Sequence, residues 1–321
     1  MSRRLAMTAA GLIALGYALI IFLWWSPGPK RGPHVLMVHE GSTVASVARQ
    51  LDREGAIPGN ALTFRAMARL FGPHDPIQAG EFEIPNGMSA ARILELLEHG
   101  KPVLRLVTVP EGMPSIEVQA KLAAIPYLTG PSPLAPDGTL LPDTYGYQRG
   151  EARAAIIQRM QQAMTSFINS VWPQKKGDCP ISSKQDALTL ASIVEKETAK
   201  PAERPLVAGV YCNRLKIGMA LDADPTVIYP ITRGKPLGRR IKESELHSTD
   251  PYNTYTHPCL PPGPITNPGR ASILAVLNPA QTKALYFVAD GTGGHVFADT
   301  LAEQNANVQK WYAIRRQRGQ M

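Results

Sequence analysis

The chain has 321 residues, with 34 Lys and Arg against 26 Asp and Glu, a net charge of +8. A hydrophobic content of 44% excludes wholesale disorder, three cysteines exclude a disulfide scaffold, and 29 prolines and 27 glycines lack the period of collagen. The length suits about two domains, and the positive charge leaves nucleic acid, an anionic membrane surface or an acidic polymer as partner classes.

Leu5 to Trp25 carries no charged residue, and about 20 apolar residues suffice to cross a bilayer core. Trp24 and Trp25 close the run where amphipathic rings favour the interface. The run is long and ends in Trp-Trp-Ser-Pro, not in a small-x-small cleavage site, so it reads as an uncleaved single-span anchor. Arg3 and Arg4 place residues 1–4 in the cytoplasm by the positive-inside rule. The remainder is then extracytoplasmic, on a cell (inner) membrane. The wide spacing of Cys179, Cys212 and Cys259 allows at most one bridge, and the reading taken is three buried free thiols.

Residues 26–34 are a Pro/Gly/basic linker. Residues 35–41 then read as a strand and turn. Apolar residues at Val44, Val47, Ala48 and Leu51 give Ser42–Glu54 a helical period, with Ser42 or Thr43 as N-cap. Ala61–Phe71 is a second helix, residues 77–85 alternate as a strand, and Ser89–His99 is a third helix stopped by Gly100. Residues 35–101 thus form a small α+β module. Further along, 102–110 is a strand, 114–125 and 151–172 are helices, and 131–150 is rich in Pro and Gly. Lys184–Ala199 is a helix opened by the capping pair Ser183 and Asp186. Helix continues over 204–217. Residues 218–269 read as irregular. A short helix (273–277), a strand (284–289), a Gly-rich turn and a helix over 298–315 close an α+β catalytic region spanning 102–321.

An irregular segment as long as 218–269 is uncommon in a compact domain unless it binds or catalyses. Tyr229, Tyr252 and Tyr255 supply flat faces, and Asn253, Thr254, Thr266 and Asn267 supply neutral hydrogen-bonding groups, a combination suited to a sugar. A rigid surface loop packed by its own tyrosines fits the same composition, and both readings stay open at this point.

The helix before it carries Ile-Val-Glu-Lys-Glu-Thr. Glu195 and Glu197 are two apart and do not face each other, so they are not the facing pair of an ordinary glycosidase. Both sit on edges of the apolar stripe, where desolvation raises a carboxyl pKa and suits a general acid, and where a solvated or ion-paired carboxylate fits equally. The histidines show no metal-ligand spacing, so no metal or cofactor is expected. No phosphate loop or nucleophile elbow is present. No basic run interleaves with aromatics as in nucleic-acid binders, so no nucleic acid is expected.

The stretches LASIVEKET (190–198), CNRLKIGMALDADPTVIY (212–229), DPYNTYTHPCLPPGPITNPG (250–269) and LYFVADGTGGHVFADTLAEQN (285–305), with LPDTYGY (141–147), resemble the YceG-like family of endolytic murein transglycosylases. The resemblance is collinear from about residue 35 to 312. It implies a single-span anchor, a LysM-like module over 35–101 and a catalytic domain over 102–321. It implies endolytic cleavage of the MurNAc-β-1,4-GlcNAc bond in nascent peptidoglycan strands, leaving 1,6-anhydro-MurNAc ends and terminating strand elongation. Glu197 falls on the family's catalytic glutamate. Asn213, Asp224, Tyr252, Asn253, Thr254 and Tyr255 fall on pocket positions, and Glu195 is a supporting residue. Peptidoglycan strands are the implied partner, with peptidoglycan synthases beside them. A single carboxylate suffices for this chemistry, because the muramoyl C6 hydroxyl attacks intramolecularly and proximity replaces an external nucleophile. A water-using glycoside hydrolase and a non-enzymatic peptidoglycan-binding protein are the competing readings.

Overall fold

The computed structural model describes residues 2–30 and 32–319, with side chains from Met7 onward. The expectation of a cytoplasmic N-terminus rests on Arg3 and Arg4, whose side chains lie outside the described residues, as does Arg31 of the linker. The architecture is mixed α+β, with twelve α-helices and six short strands among the described residues. The chain divides into two compact units, Met1–Arg105 with Gly146–Gly150, and Leu106–Tyr145 with Glu151–Met321.

In the first unit, α1 (Ser2–Trp25) contains an apolar stretch, Met7–Trp25, long enough to cross a membrane. Strand β1 (His34–Val38) pairs antiparallel with β2 (Gly80–Ile84), in a register that sets His34 opposite Ile84. Between them run α2 (Val44–Arg53) and α3 (Ala61–Phe71), and α4 (Ala90–His99) follows β2. Each helix starts where a side chain satisfies free backbone donors. Thr43 and Ser46 form a reciprocal box at α2, Asn60 caps α3 and Ser89 caps α4. Leu36, Leu51, Phe64, Met67, Phe82 and Leu97 form one apolar core, which Trp24 of α1 joins. The 26–34 segment lies against this unit. Gly28 N–H donates to the Gly87 carbonyl at 3.1 Å, and a Cβ at Gly28 would collide with the Met88 carbonyl.

The second unit begins in β3 (Arg105–Thr108), which pairs with β4 (Thr144–Tyr147), and α5 (Ser115–Ala123) lies between them in sequence. Then come α6 (Arg153–Val171), α7 (Lys184–Glu197), α8 (Arg204–Lys216), α9 (Asp224–Thr232), α10 (Glu243–Leu246), α11 (Arg270–Leu277), β5 (Tyr286–Ala289), β6 (His295–Ala298) and α12 (Leu301–Gln317). Helix α7 is the centre: every residue from Ala187 to Val194 is buried, against α8 and α11. Ser183 and Asp186 cap it reciprocally.

Three expectations are corrected. Residues 218–269 are not wholly irregular, because α9 and α10 lie within them. Pro225 occupies the first turn of α9, where its missing N–H costs nothing. Strand β4 lies in the stretch read as Pro/Gly-rich, and β6 follows the Gly-rich turn, where no strand is expected from the sequence. The cysteines are not three buried thiols either. Packing of α8 brings Cys212 to a Cα–Cα distance of 4.9 Å from Cys179, and the two form a disulfide, while Cys259 is free and exposed.

Candidate active site

Glu197 is the last residue of α7. The buried body of the helix anchors it, and the chain turns away at Thr198, so a half-buried carboxyl is left at the helix end. Negative charge is disfavoured there, because a helix C-terminus carries a partial negative charge of its own. Burial pushes the Glu197 carboxyl up to about 7, with the charge of Asp224 adding to the effect and the Tyr211 hydroxyl and Arg214 opposing it. At neutral pH such a group exists in both protonation states, the condition for efficient proton transfer in either direction.

Glu197 opens on a cavity of about 190 Å3, walled by Tyr211, Arg214, Leu221, Asp222, Asp224, Tyr255 and Phe287. Each wall has a separate structural origin. Tyr211 and Arg214 lie three apart on α8 and so share a face. Tyr211 is fully buried, its hydroxyl is bonded to the Glu197 carboxylate, and burial together with that charge raises its own pKa. Arg214 clamps the following turn: Nε donates to the Leu285 carbonyl at 2.6 Å, and Nη1 to the carbonyls of Ala220 at 3.0 Å and Leu221 at 2.9 Å. Nη1 also meets Asp222 Oδ2 at 3.2 Å, and the guanidinium lies over the Tyr286 ring. Burial raises the Asp222 carboxyl, with Arg214 opposing. Asp224 opens α9, where the helix N-terminus favours negative charge, and accepts the Tyr255 hydroxyl at 2.7 Å. Phe287 on β5 packs edge-on against Tyr211, with centroids 5.8 Å apart.

Of the residues expected at the site, Glu197, Asp224 and Tyr255 come together and the others do not. Asn213 points away, donating its amide to the carbonyls of Thr282 at 2.8 Å and Ala284 at 3.1 Å. Asn253 is fully buried, donates to the carbonyls of Leu246 at 2.9 Å and Ser248 at 2.8 Å, and accepts the Tyr255 N–H at 3.0 Å. Thr254 is buried against Thr226, hydroxyl to hydroxyl at 2.8 Å, and accepts the Ala223 N–H at 3.1 Å. Tyr252 stacks on Tyr229 at 4.7 Å, outside the cavity wall, and the Tyr229 hydroxyl donates to Asp137 at 2.9 Å. Glu195 is also a framework residue. Its oxygens accept Arg204 Nη2 at 3.2 Å and the Gly269 N–H at 2.9 Å. A Cβ on Gly269 would collide with the Glu111 side chain, so glycine leaves room for that second acid beside Arg204.

Sequence reasoning missed Tyr211, Arg214, Leu221, Asp222 and Phe287. The spacing of Tyr211 and Arg214 was available as a signal, since it puts both on the face of α8 that meets α7. Nothing local marks Phe287, which lies on β5 and packs against Tyr211 from a distant part of the chain. Among the described residues no group of His, Cys, Asp or Glu is placed to hold a metal ion.

The family model described as YceG-like matches residues 36–310. An endolytic murein transglycosylase of Bacillus subtilis is 28% identical, over 88% of this chain and 85% of its own length. One from Streptococcus pneumoniae is 28% identical, over 84% of this chain and 57% of its own length. The crystal structure of a YceG-like protein from Listeria monocytogenes superposes with a TM-score of 0.51 at 28% identity, covering 85% of this chain and 98% of that one.

Proposed function

Because this chain belongs to the YceG-like family, we propose that it is an endolytic murein transglycosylase held at a membrane by α1. The substrate is the peptidoglycan glycan strand and the bond cut is MurNAc-β-1,4-GlcNAc. The observation that carries this reading is the single carboxyl pushed up to about 7 in a small polar cavity. An acid that is still protonated near neutrality can give up a proton, and its conjugate base can take one back.

The reaction follows from that exchange. Glu197 donates its proton to the glycosidic oxygen as the C1–O bond of the muramoyl residue breaks, and the chain beyond departs as an alcohol. Positive charge develops at C1. The muramoyl C6 hydroxyl then bonds to C1, and its proton passes to the Glu197 carboxylate, which restores the acid. No water is consumed and the product ends in 1,6-anhydro-MurNAc. The reacting hydroxyl is already tethered to the sugar, so proximity supplies the nucleophile. Tyr211 holds the Glu197 carboxyl in place. Asp224, oriented by Tyr255, offers a fixed negative charge toward the charge developing at C1. The β–α–α–β order of residues 34–84 supports a LysM-like, glycan-holding role for the 35–101 module, with the 102–321 region as the catalytic domain. With the N-terminus cytoplasmic, both would face the wall, where cleavage beside peptidoglycan synthases would terminate nascent strands.

The test is the mass spectrum of fragments released from purified sacculi by the detergent-solubilised full chain. Anhydro-ended muropeptides are the expected product, and Glu197→Gln should cut their release by roughly a thousandfold. Reducing-end products would assign a water-using hydrolase instead. Binding without release would assign a peptidoglycan-binding protein.

A further inference from the structure

The last turn of α1 fixes the depth of one helix of the first unit. Trp24 packs edge-on against Phe64 with centroids 5.5 Å apart, and Trp25 against Phe71 at 5.3 Å. Leu23 comes within 3.9 Å of where a Cβ on Gly59 would stand, at the entry to α3. Paired tryptophans at the end of an apolar span sit at the membrane–water interface. These contacts hold α3 to residues 23–25, and Ile21, one turn earlier, packs against the same core. Helix α3 therefore lies within about one helical turn, ~5 Å, of that level.

The outward face of α3 is unusual for the surface of a folded module. Phe64, Met67 and Ala68 face the core. The opposite face shows Leu62, 72% exposed, and Leu70, 57% exposed, with Arg65 and Arg69 beside them. Phe71, 43% exposed, ends the helix next to Trp25. An open hollow of about 860 Å3 lies beside this face, where Leu62, Arg65 and Arg69 of α3 meet the start of α2 and the end of α4. On its acidic side Asp75 lies 3.4 Å from His99, and burial raises the Glu98 carboxyl. Apolar side chains flanked by arginines on one side of a helix are the pattern of an interfacial helix on anionic lipid.

We infer that α3 is a membrane-seating helix, whose Leu62 and Leu70 enter the headgroup region of an anionic bilayer while Arg65 and Arg69 pair with lipid phosphates. The inference rests on the reading of α1 as a span. Two contacts with one bilayer, one crossing it and one lying on it, fix the first unit's tilt as a single span cannot.

Collision-accessibility EPR on the full chain in nanodiscs tests this. Single nitroxides are placed in a Cys259→Ser background through Leu62→Cys, Leu70→Cys, Glu83→Cys at the exposed residue of β2 and Leu15→Cys in the span. In discs containing phosphatidylglycerol, the labels at 62 and 70 should become oxygen-accessible and shielded from a water-soluble nickel complex, as the label at 15 is, while that at 83 stays in water. The double variant Arg65→Glu/Arg69→Glu should lose the shielding at 62. Labels at 62 and 70 that behave like 83, with 15 in hydrocarbon, overturn the seat and leave the anchor standing. A label at 15 in water overturns both. Shielding at 62 that needs added soluble glycan strands and not lipid assigns the face to glycan and overturns the inference.

Discussion

The last turn of α7 and the loop over 250–256 are both dense in polar side chains, and they use them in opposite ways. In the loop, Asn253 and Thr254 spend their hydrogen-bonding capacity on neighbouring backbone and on Thr226. The interior therefore holds few unpaired groups, which is the ordinary state of buried polar atoms. The α7 turn divides its two acids. Glu195 is neutralised by Arg204 and the Gly269 N–H, whereas Glu197 keeps a carboxyl on which burial and charge conflict. Framework positions are satisfied, and the carboxyl proposed as the acid is left in tension.

The largest effect that could break this comparison is at Glu197. Beyond the loss of turnover, Glu197→Gln should gain stability over wild type as pH rises. The folded carboxyl, at about 7, lies above its ordinary value of 4.5. The native state therefore binds the proton more tightly, and its advantage is full below 4.5 and lost as pH rises through about 7. Thermal melts at pH 5 and pH 8 should show the variant's relative gain only at the higher pH. Glu195→Ala should do the reverse. It strands the guanidinium of Arg204, 10% exposed, with only the half-exposed Glu111 as partner. Removing one member of a buried pair costs about 3 kcal/mol, read as a lower urea midpoint, while the folded fraction keeps the pH profile of wild type. If Glu195→Ala instead abolishes turnover in fully folded protein, the division of roles is wrong.

Asn253→Ala comes next. It leaves the Leu246 carbonyl without its donor, the Ser248 carbonyl with the Thr256 hydroxyl alone and the Tyr255 N–H without its acceptor, a loss of about 2 kcal/mol. Urea unfolding measures that cost, and turnover per folded molecule should stay near wild type. A substrate-binding residue would show the opposite split, with stability kept and KM raised.

These contrasts also explain what could be read before the structure. Helices α2, α3, α4 and α7 were legible because their apolar spacing and capping residues are local signals, and Glu197 was legible because its place on the stripe edge is a property of one helix. The identities Asn, Thr and Tyr in the 250–256 loop could not show whether their polar atoms face a ligand or the chain's own carbonyls. That depends on Glu245–Ser248 folding under Asn253 and on α9 delivering Thr226 to Thr254. The disulfide was hidden for the same reason, since only the packing of α8 brings Cys212 to Cys179.

Tyr211→Phe is the finest test, because it separates holding a carboxyl from hiding it. The Tyr211 hydroxyl bonds to the carboxylate and so lowers the Glu197 pKa, while burial raises it further than the bond can offset. Removing the oxygen takes away the lowering contribution and leaves burial in place, since the Phe ring still packs on Phe287. The alkaline limb of the rate profile should therefore move above its wild-type position near 7. A shift of up to about one unit corresponds to ~1.4 kcal/mol. The rate at its optimum should fall as well, because a carboxyl without its tether spends less time aligned with the glycosidic oxygen. An unmoved alkaline limb with a lower plateau would mean that Tyr211 only orients the acid. A limb moved to lower pH would mean that the Phe variant lets water reach the carboxyl, and that the ring, not the hydroxyl, keeps Glu197 protonated.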